Sequence, residues 1–126
     1  MLRLAGLWGP CVGFMACVWF LSDSVRIDTP ELVSDKILHF VAYGLFGAFN
    51  LRAFHGGFRR PAPWATVMAM TLTAGFAGLD EWRQSGVLFR TASWGDWYAD
   101  LAGALVALVV LRVLPLPETV GESRKS

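Results

Sequence analysis

At 126 residues, 55% hydrophobic and only 17% charged, the chain departs from an ordinary soluble domain, in which about a quarter of the residues carry charge. That leaves too few polar residues to cover a single soluble core and points to lipid around the exterior. A net charge of +1 without a basic stripe argues against nucleic acid as a partner.

Four apolar runs follow one another, at about 4–21, 36–54, 63–80 and 97–114, each close to the ~20 residues a helix needs to cross a ~30 Å hydrocarbon layer. The predicted fold is all-α: one membrane domain over residues 1–126, a bundle of four transmembrane helices with a polar tail at 118–126. Cys11 and Cys17 lie six residues apart in the first run, so on a helix they point in different directions; small core or lipid-facing roles are expected, not a disulfide. A signal peptide competes for residues 1–21, but no small-x-small cleavage site follows the apolar stretch. A lipoprotein cleavage box before Cys17 is a poorer match, since Phe14 and Met15 replace the residues it needs.

The second run opens on Asp35, Lys36, His39 and Tyr43. The last three are spaced i, i+3, i+7 and share one helix face. Asp35 suits a helix N-cap as well as a site, and Lys36 suits snorkelling to the headgroups as well as a site. His39, a turn deeper, is either a satisfied core residue or part of a polar cavity, because polar side chains within spans face protein or water. A basic turn with Gly56, Gly57, Pro61 and Pro63 as breakers then leads to the third run.

That run has no charge from Trp64 to Gly78 and then ends on Asp80, Glu81, Trp82, Arg83 and Gln84. At a helix C-terminus the macrodipole disfavours carboxylates by about 0.3–1 kcal/mol, so capping does not account for the two acids. Adjacent carboxylates also repel unless a cation or shared proton intervenes, and Lys36, Arg83 and Arg90 are the cations at hand. Asp96 is placed to cap the fourth helix. Asp100 lies about 6 Å further along the axis, where a carboxylate needs a partner or a wet cavity. Gly103 continues the same stripe and lets a neighbouring helix come close.

Orientation follows from Lys and Arg. With the N-terminus inside, Arg3, Arg52, Arg59, Arg60, Arg112, Arg124 and Lys125 are cytoplasmic, and Arg26, Lys36, Arg83 and Arg90 are outside, seven against four. Trp19, Trp82, Trp94 and Trp97 then mark the outer interface, and Trp8 and Trp64 the inner one. The expected location is the inner (cytoplasmic) membrane, multi-pass, with both termini cytoplasmic and the polar motifs clustered on the extracytoplasmic side.

These residues resemble the VanZ-like family of small integral membrane proteins. The likeness rests on Asp35, Lys36, His39, Phe40 and Tyr43, then Asp80, Glu81 and Gln84, Arg90 ten residues after Asp80, Asp96 six beyond, the pair Ala92 and Ser93, and Gly103. It runs from about residue 19 to 111. The chain departs from the pattern at Asp100, where Asn is usual, at Gly86 for an aromatic, and at Leu88 and Phe89 for a Pro-Gly turn. The resemblance implies an envelope role with a link to glycopeptide (teicoplanin) sensitivity, and it supplies no reaction.

The expected function is binding, without transport, of a lipid headgroup or cell-wall precursor. The expected site comprises Lys36, His39, Tyr43, Asp80, Glu81, Gln84, Arg90, Asp96 and Asp100, with Lys36 and Arg90 as anion partners and Tyr43 and Gln84 orienting neutral groups. Its partners are membrane lipids; no cofactor or metal is expected, because the His, Asp and Glu spacing matches no metal motif. Two alternatives stand beside it: an acid–base or metal-assisted enzyme on a lipid-linked substrate, and a purely structural ion-pair network. Ser85 and Ser93 have no nucleophile context, which weighs against an enzyme without deciding it.

Overall fold

The computed structural model describes residues 1–21, 32–58, 60–86 and 94–114, the side chains of residues 21 and 32–35 excepted. The chain forms helices α1 (Leu2–Leu21), α2 (Leu32–His55), α3 (Pro63–Gln84) and α4 (Trp94–Val113), with no strand among the described residues. The all-α expectation is met. The helices are 20, 24, 22 and 20 residues long, or about 30–36 Å at a rise of 1.5 Å per residue.

The breakers act as residue chemistry dictates. Gly56 takes φ 84°, the left-handed conformation that ends a helix, and its N–H reaches the Arg52 carbonyl at 2.8 Å. Ala62 is extended and Pro63 opens α3, where its missing N–H costs no helical bond. The cap expected at Asp96, and the cap alternative for Asp35, are corrected. Helix α2 begins at Leu32 and α4 at Trp94, so Asp35 and Asp96 lie inside their helices' first turns and not at the N-cap. Helix α3 runs on through Gln84, which puts both acids within its last turns. Hydropathy marks only the apolar part of a helix, whereas backbone hydrogen bonding carries it on through polar residues.

Helix α2 is the centre of the bundle. Tyr43 meets Asp80 and Asn50 meets Thr73, so α2 and α3 run antiparallel. Helix α1 also runs antiparallel to α2, with Trp8 against Phe54 at 5.0 Å, Phe14 stacked on Phe46 at 4.6 Å, and Arg52 donating to the Gly6 carbonyl. Helices α2 and α4 run parallel, since Lys36 and His39 meet Asp96 and Asp100 in register. Their close approach uses small residues: a Cβ on Gly44 would lie 3.2 Å from the Gly103 carbonyl, one on Gly47 3.3 Å from Ala104 Cβ, and one on Gly103 would collide with the Phe40 backbone. Cys11 is buried and Cys17 exposed, both as free thiols.

The exterior is apolar and the polar residues are inside. Val12, Ile37, Val41, Leu45, Val67, Leu105 and Val109 are all more than half exposed. Asn50, Thr73, Asp80, Glu81, Gln84 and Asp100 are buried. In water so continuous an apolar surface is a liability, whereas in lipid it is what solvates the helices. Two helical stretches, Leu2–Phe20 and Lys36–His55, are long and apolar enough to cross a membrane. Of the other two, α4 carries Asp96, Asp100 and Arg112, and α3 carries Asp80, Glu81 and Arg83 and dilutes its apolar residues with three threonines, two glycines, Pro63 and Trp64.

Midway along the α2–α3 contact, Asn50 Nδ2 donates to Thr73 Oγ1 at 2.9 Å, and Thr73 in turn donates to the Ala69 carbonyl at 2.7 Å. Both side chains are fully buried. Interhelical bonds of this kind contribute about 0.6 kcal/mol on average in membrane proteins, because the separated helices also find partners. Asn50→Leu is therefore expected to change unfolding free energy in micelles by less than about 1.5 kcal/mol; a larger loss would make this pair a main tie of the bundle.

Candidate functional site

The site grows from one geometric fact: α2 and α4 start, and α1 and α3 finish, at the same end of the bundle. All the acids whose side chains are described, Asp80, Glu81, Asp96 and Asp100, lie at this end. Arg3, Arg52 and Arg112 lie in the terminal turns of α1, α2 and α4 at the opposite end, and Arg60 in the connection between α2 and α3 there. The Lys36, His39, Tyr43 face of α2 turns toward both neighbours.

Toward α4 it forms a two-rung ladder. Lys36 Nζ donates to Asp96 Oδ1 at 3.1 Å, with Lys36 side-chain exposure at 44%. One turn deeper, His39 Nδ1 lies 2.8 Å from Asp100 Oδ1, and Asp100 is 1% exposed. The partner that Asp100 required is this imidazole. Spacings of three on α2 and four on α4 bring the rungs into line because the helices run parallel.

Toward α3 the acceptor is Asp80. Its Oδ2 receives Gln84 Nε2 at 3.0 Å and Tyr43 OH at 3.4 Å, and its Oδ1 receives Arg83 Nη2 at 3.2 Å. Three donors thus hold a carboxylate at the disfavoured end of a helix dipole. The Arg83 guanidinium also sits 4.9 Å from the Trp19 ring centroid, which ties the end of α1 to the site. Glu81, also buried, lies between the two clusters: its carboxylate, a His39 ring nitrogen and an Asp96 oxygen all fall within 4.8 Å of one another. The His39 and Tyr43 rings are parallel, 6.4 Å between centroids.

Of the nine residues singled out from the sequence, eight converge here; Arg90 lies outside the described residues, as do Ala92 and Ser93. Asp35 falls within α2, its side chain not described. Arg83, named from the sequence as a cation at hand but not among the nine, joins the site through its i, i+3 contact with Asp80. Trp19 in the site carries no sequence signal beyond its place at a span end. Ser85 donates its hydroxyl to the Trp82 carbonyl and is exposed, which does not prepare it as a nucleophile.

No protein-family model, curated protein or solved structure matches this chain. The chemistry therefore rests on the geometry. Four carboxylates face two permanent cations, Lys36 and Arg83, an excess of two negative charges among the described side chains with His39 neutral. Such an arrangement attracts cations, can exchange protons through the His39–Asp100 pair, and meets a bare anion unfavourably.

Proposed function

We propose that this chain is a multi-pass protein of the bacterial inner (cytoplasmic) membrane whose polar end binds a phosphate-bearing headgroup, of a membrane lipid or of a lipid-linked cell-wall precursor. All four helices cross the bilayer in this reading, with both termini cytoplasmic. The observation that carries it is the convergence of buried polar side chains from α2, α3 and α4 at one end of a bundle with an apolar exterior. The arginines at the other end favour the cytoplasmic side for that end and the outer face for the site. The VanZ-like resemblance supports the same envelope assignment and the link to teicoplanin sensitivity. Lys36, half exposed above the buried acids, is the first cation that a headgroup phosphate would meet.

The test is native mass spectrometry of the purified protein in micelles, offered a short-chain phosphatidylethanolamine and, separately, a polyprenyl phosphate. One retained lipid is expected for the wild type, with retention of either lipid about 10-fold weaker or more in Lys36→Met, which removes one charge-assisted hydrogen bond to the phosphate, and with phosphatidylethanolamine alone weakened in Glu81→Gln, which removes a carboxylate partner for its ammonium group. Equal retention by folded variants would rule the site out. A second reading, acid–base chemistry on a lipid-linked substrate, draws on the His39–Asp100 pair beside Glu81. A retained lipid of altered mass, produced by wild type and not by Glu81→Gln, would favour it.

A further inference from the structure

We propose that His39, Glu81 and Asp96 form a divalent-cation site, of a kind that takes Zn²⁺ or Mn²⁺, with Asp100 as the positioning residue behind the histidine. Three helices each supply one donor: α2 the imidazole, α3 the glutamate and α4 the aspartate. Their ligand atoms lie within 4.8 Å of one another. Donors on a zinc ion at ~2.0–2.1 Å stand roughly 3.4 Å apart, so side-chain rotation of about an ångström closes the shell.

The second observation is the role of Asp100. A histidine that ligates a metal characteristically gives its other ring N–H to a carboxylate, which fixes the tautomer and raises the basicity of the ligating nitrogen. Here the Asp100 carboxylate stands 2.8 Å from His39 Nδ1; in the tautomer that donates from Nδ1 to this carboxylate, Nε2 holds the lone pair that would bind the ion. Asp100 is buried to 1% exposure, and the hydrogen bond with His39 offsets part of the cost of burying its carboxylate.

Charge is the third. The excess of two negative charges around Lys36 and Arg83 is what one divalent cation neutralises. One nitrogen and two carboxylate oxygens suit zinc or manganese better than a soft ion, which would call for thiolates. Three protein ligands also leave a coordination position open. That open position gives the headgroup reading what the bare site lacks, a positive centre facing a phosphate oxygen; this extension rests on that reading, and the metal site itself does not.

The experiment starts from purified full-length protein stripped with a chelator and dialysed against Zn²⁺ or Mn²⁺ alone, with metal content and affinity measured and circular dichroism confirming the fold of each variant. One ion per chain is expected for the wild type. Glu81→Gln should abolish it and Asp100→Asn weaken it about 10–100-fold. Cys17→Ser and His55→Gln, away from the site, should leave it unchanged. X-ray absorption should show nitrogen and oxygen ligands.

Absence of bound ion in the wild type, sulfur ligation, or stoichiometry indifferent to Glu81→Gln would overturn the metal site. Inorganic phosphate and the short-chain lipid are then added with and without the ion. Metal binding without phosphate or lipid binding keeps the metal site and removes the headgroup reading. Lipid binding by protein that takes up no ion does the reverse.

Discussion

His39→Leu is expected to cost about 3–5 kcal/mol of stability, the penalty for stripping the partner from a buried charge. The partner is Asp100, 1% exposed and 2.8 Å from His39 Nδ1. Leucine fills much of the imidazole volume but offers no proton, so a carboxylate remains in a site that water reaches poorly. The double variant His39→Leu with Asp100→Leu should recover most of the loss, because replacing both members of a buried pair by apolar residues is often neutral or better. Unfolding free energies in mixed micelles, with a chelator present so that no bound ion contributes, make this a double-mutant cycle. If the single and double variants are equally unstable, the pair is not what holds Asp100 in place, and the deeper rung of the α2–α4 ladder loses its stabilising role.

The second large effect concerns the backbone. Gly103→Val should separate α2 from α4, because even a Cβ at that position runs into the Phe40 carbonyl, and a carbonyl within a helix has little room to yield. Overpacking costs typically about 1–3 kcal/mol. Here the displacement would also stretch the Lys36–Asp96 and His39–Asp100 contacts, which lie within two turns of Gly103 on α4. Binding at the site should therefore fall along with stability. Gly47→Ala, whose Cβ would meet Ala104 Cβ at 3.3 Å, should be milder, and Gly75→Ala, with nothing within 4 Å, neutral or stabilising by up to about 1 kcal/mol. The graded series is read by thermal unfolding in micelles. A Gly103→Val protein as stable as Gly75→Ala would mean the helices are not closely packed there.

Much of the site is legible in the residues because helix periodicity is rigid. Lys36, His39 and Tyr43 share a face at any helix start, and Asp80, Arg83 and Gln84 are neighbours at i, i+3 and i+4, as their contacts bear out. The misplaced caps have the opposite cause. Asp35 and Asp96 suit helix starts because the apolar pattern begins just after them, but α2 gains the four residues Leu32 to Asp35 and α4 the three residues Trp94 to Asp96 ahead of that pattern. Asn50 with Thr73 was missed for a related reason: one amide and one hydroxyl within long apolar runs do not alter the hydropathy that marks a span.

The chain alone determined four helical segments, the breakers between α2 and α3, and which end of α3 and α4 carries the acids, since residue type, breakers and the 3.6-residue period are local properties. Only the tertiary structure decided that α2 and α4 run side by side in parallel, that His39 faces Asp100 and Lys36 faces Asp96, and that Glu81 joins a histidine and an aspartate from two other helices. Those pairings depend on how closely two helix backbones approach and at what register. That is set where Gly44, Gly47, Gly103 and Ala104 meet, a contact between residues about 60 apart in the chain that no local pattern encodes.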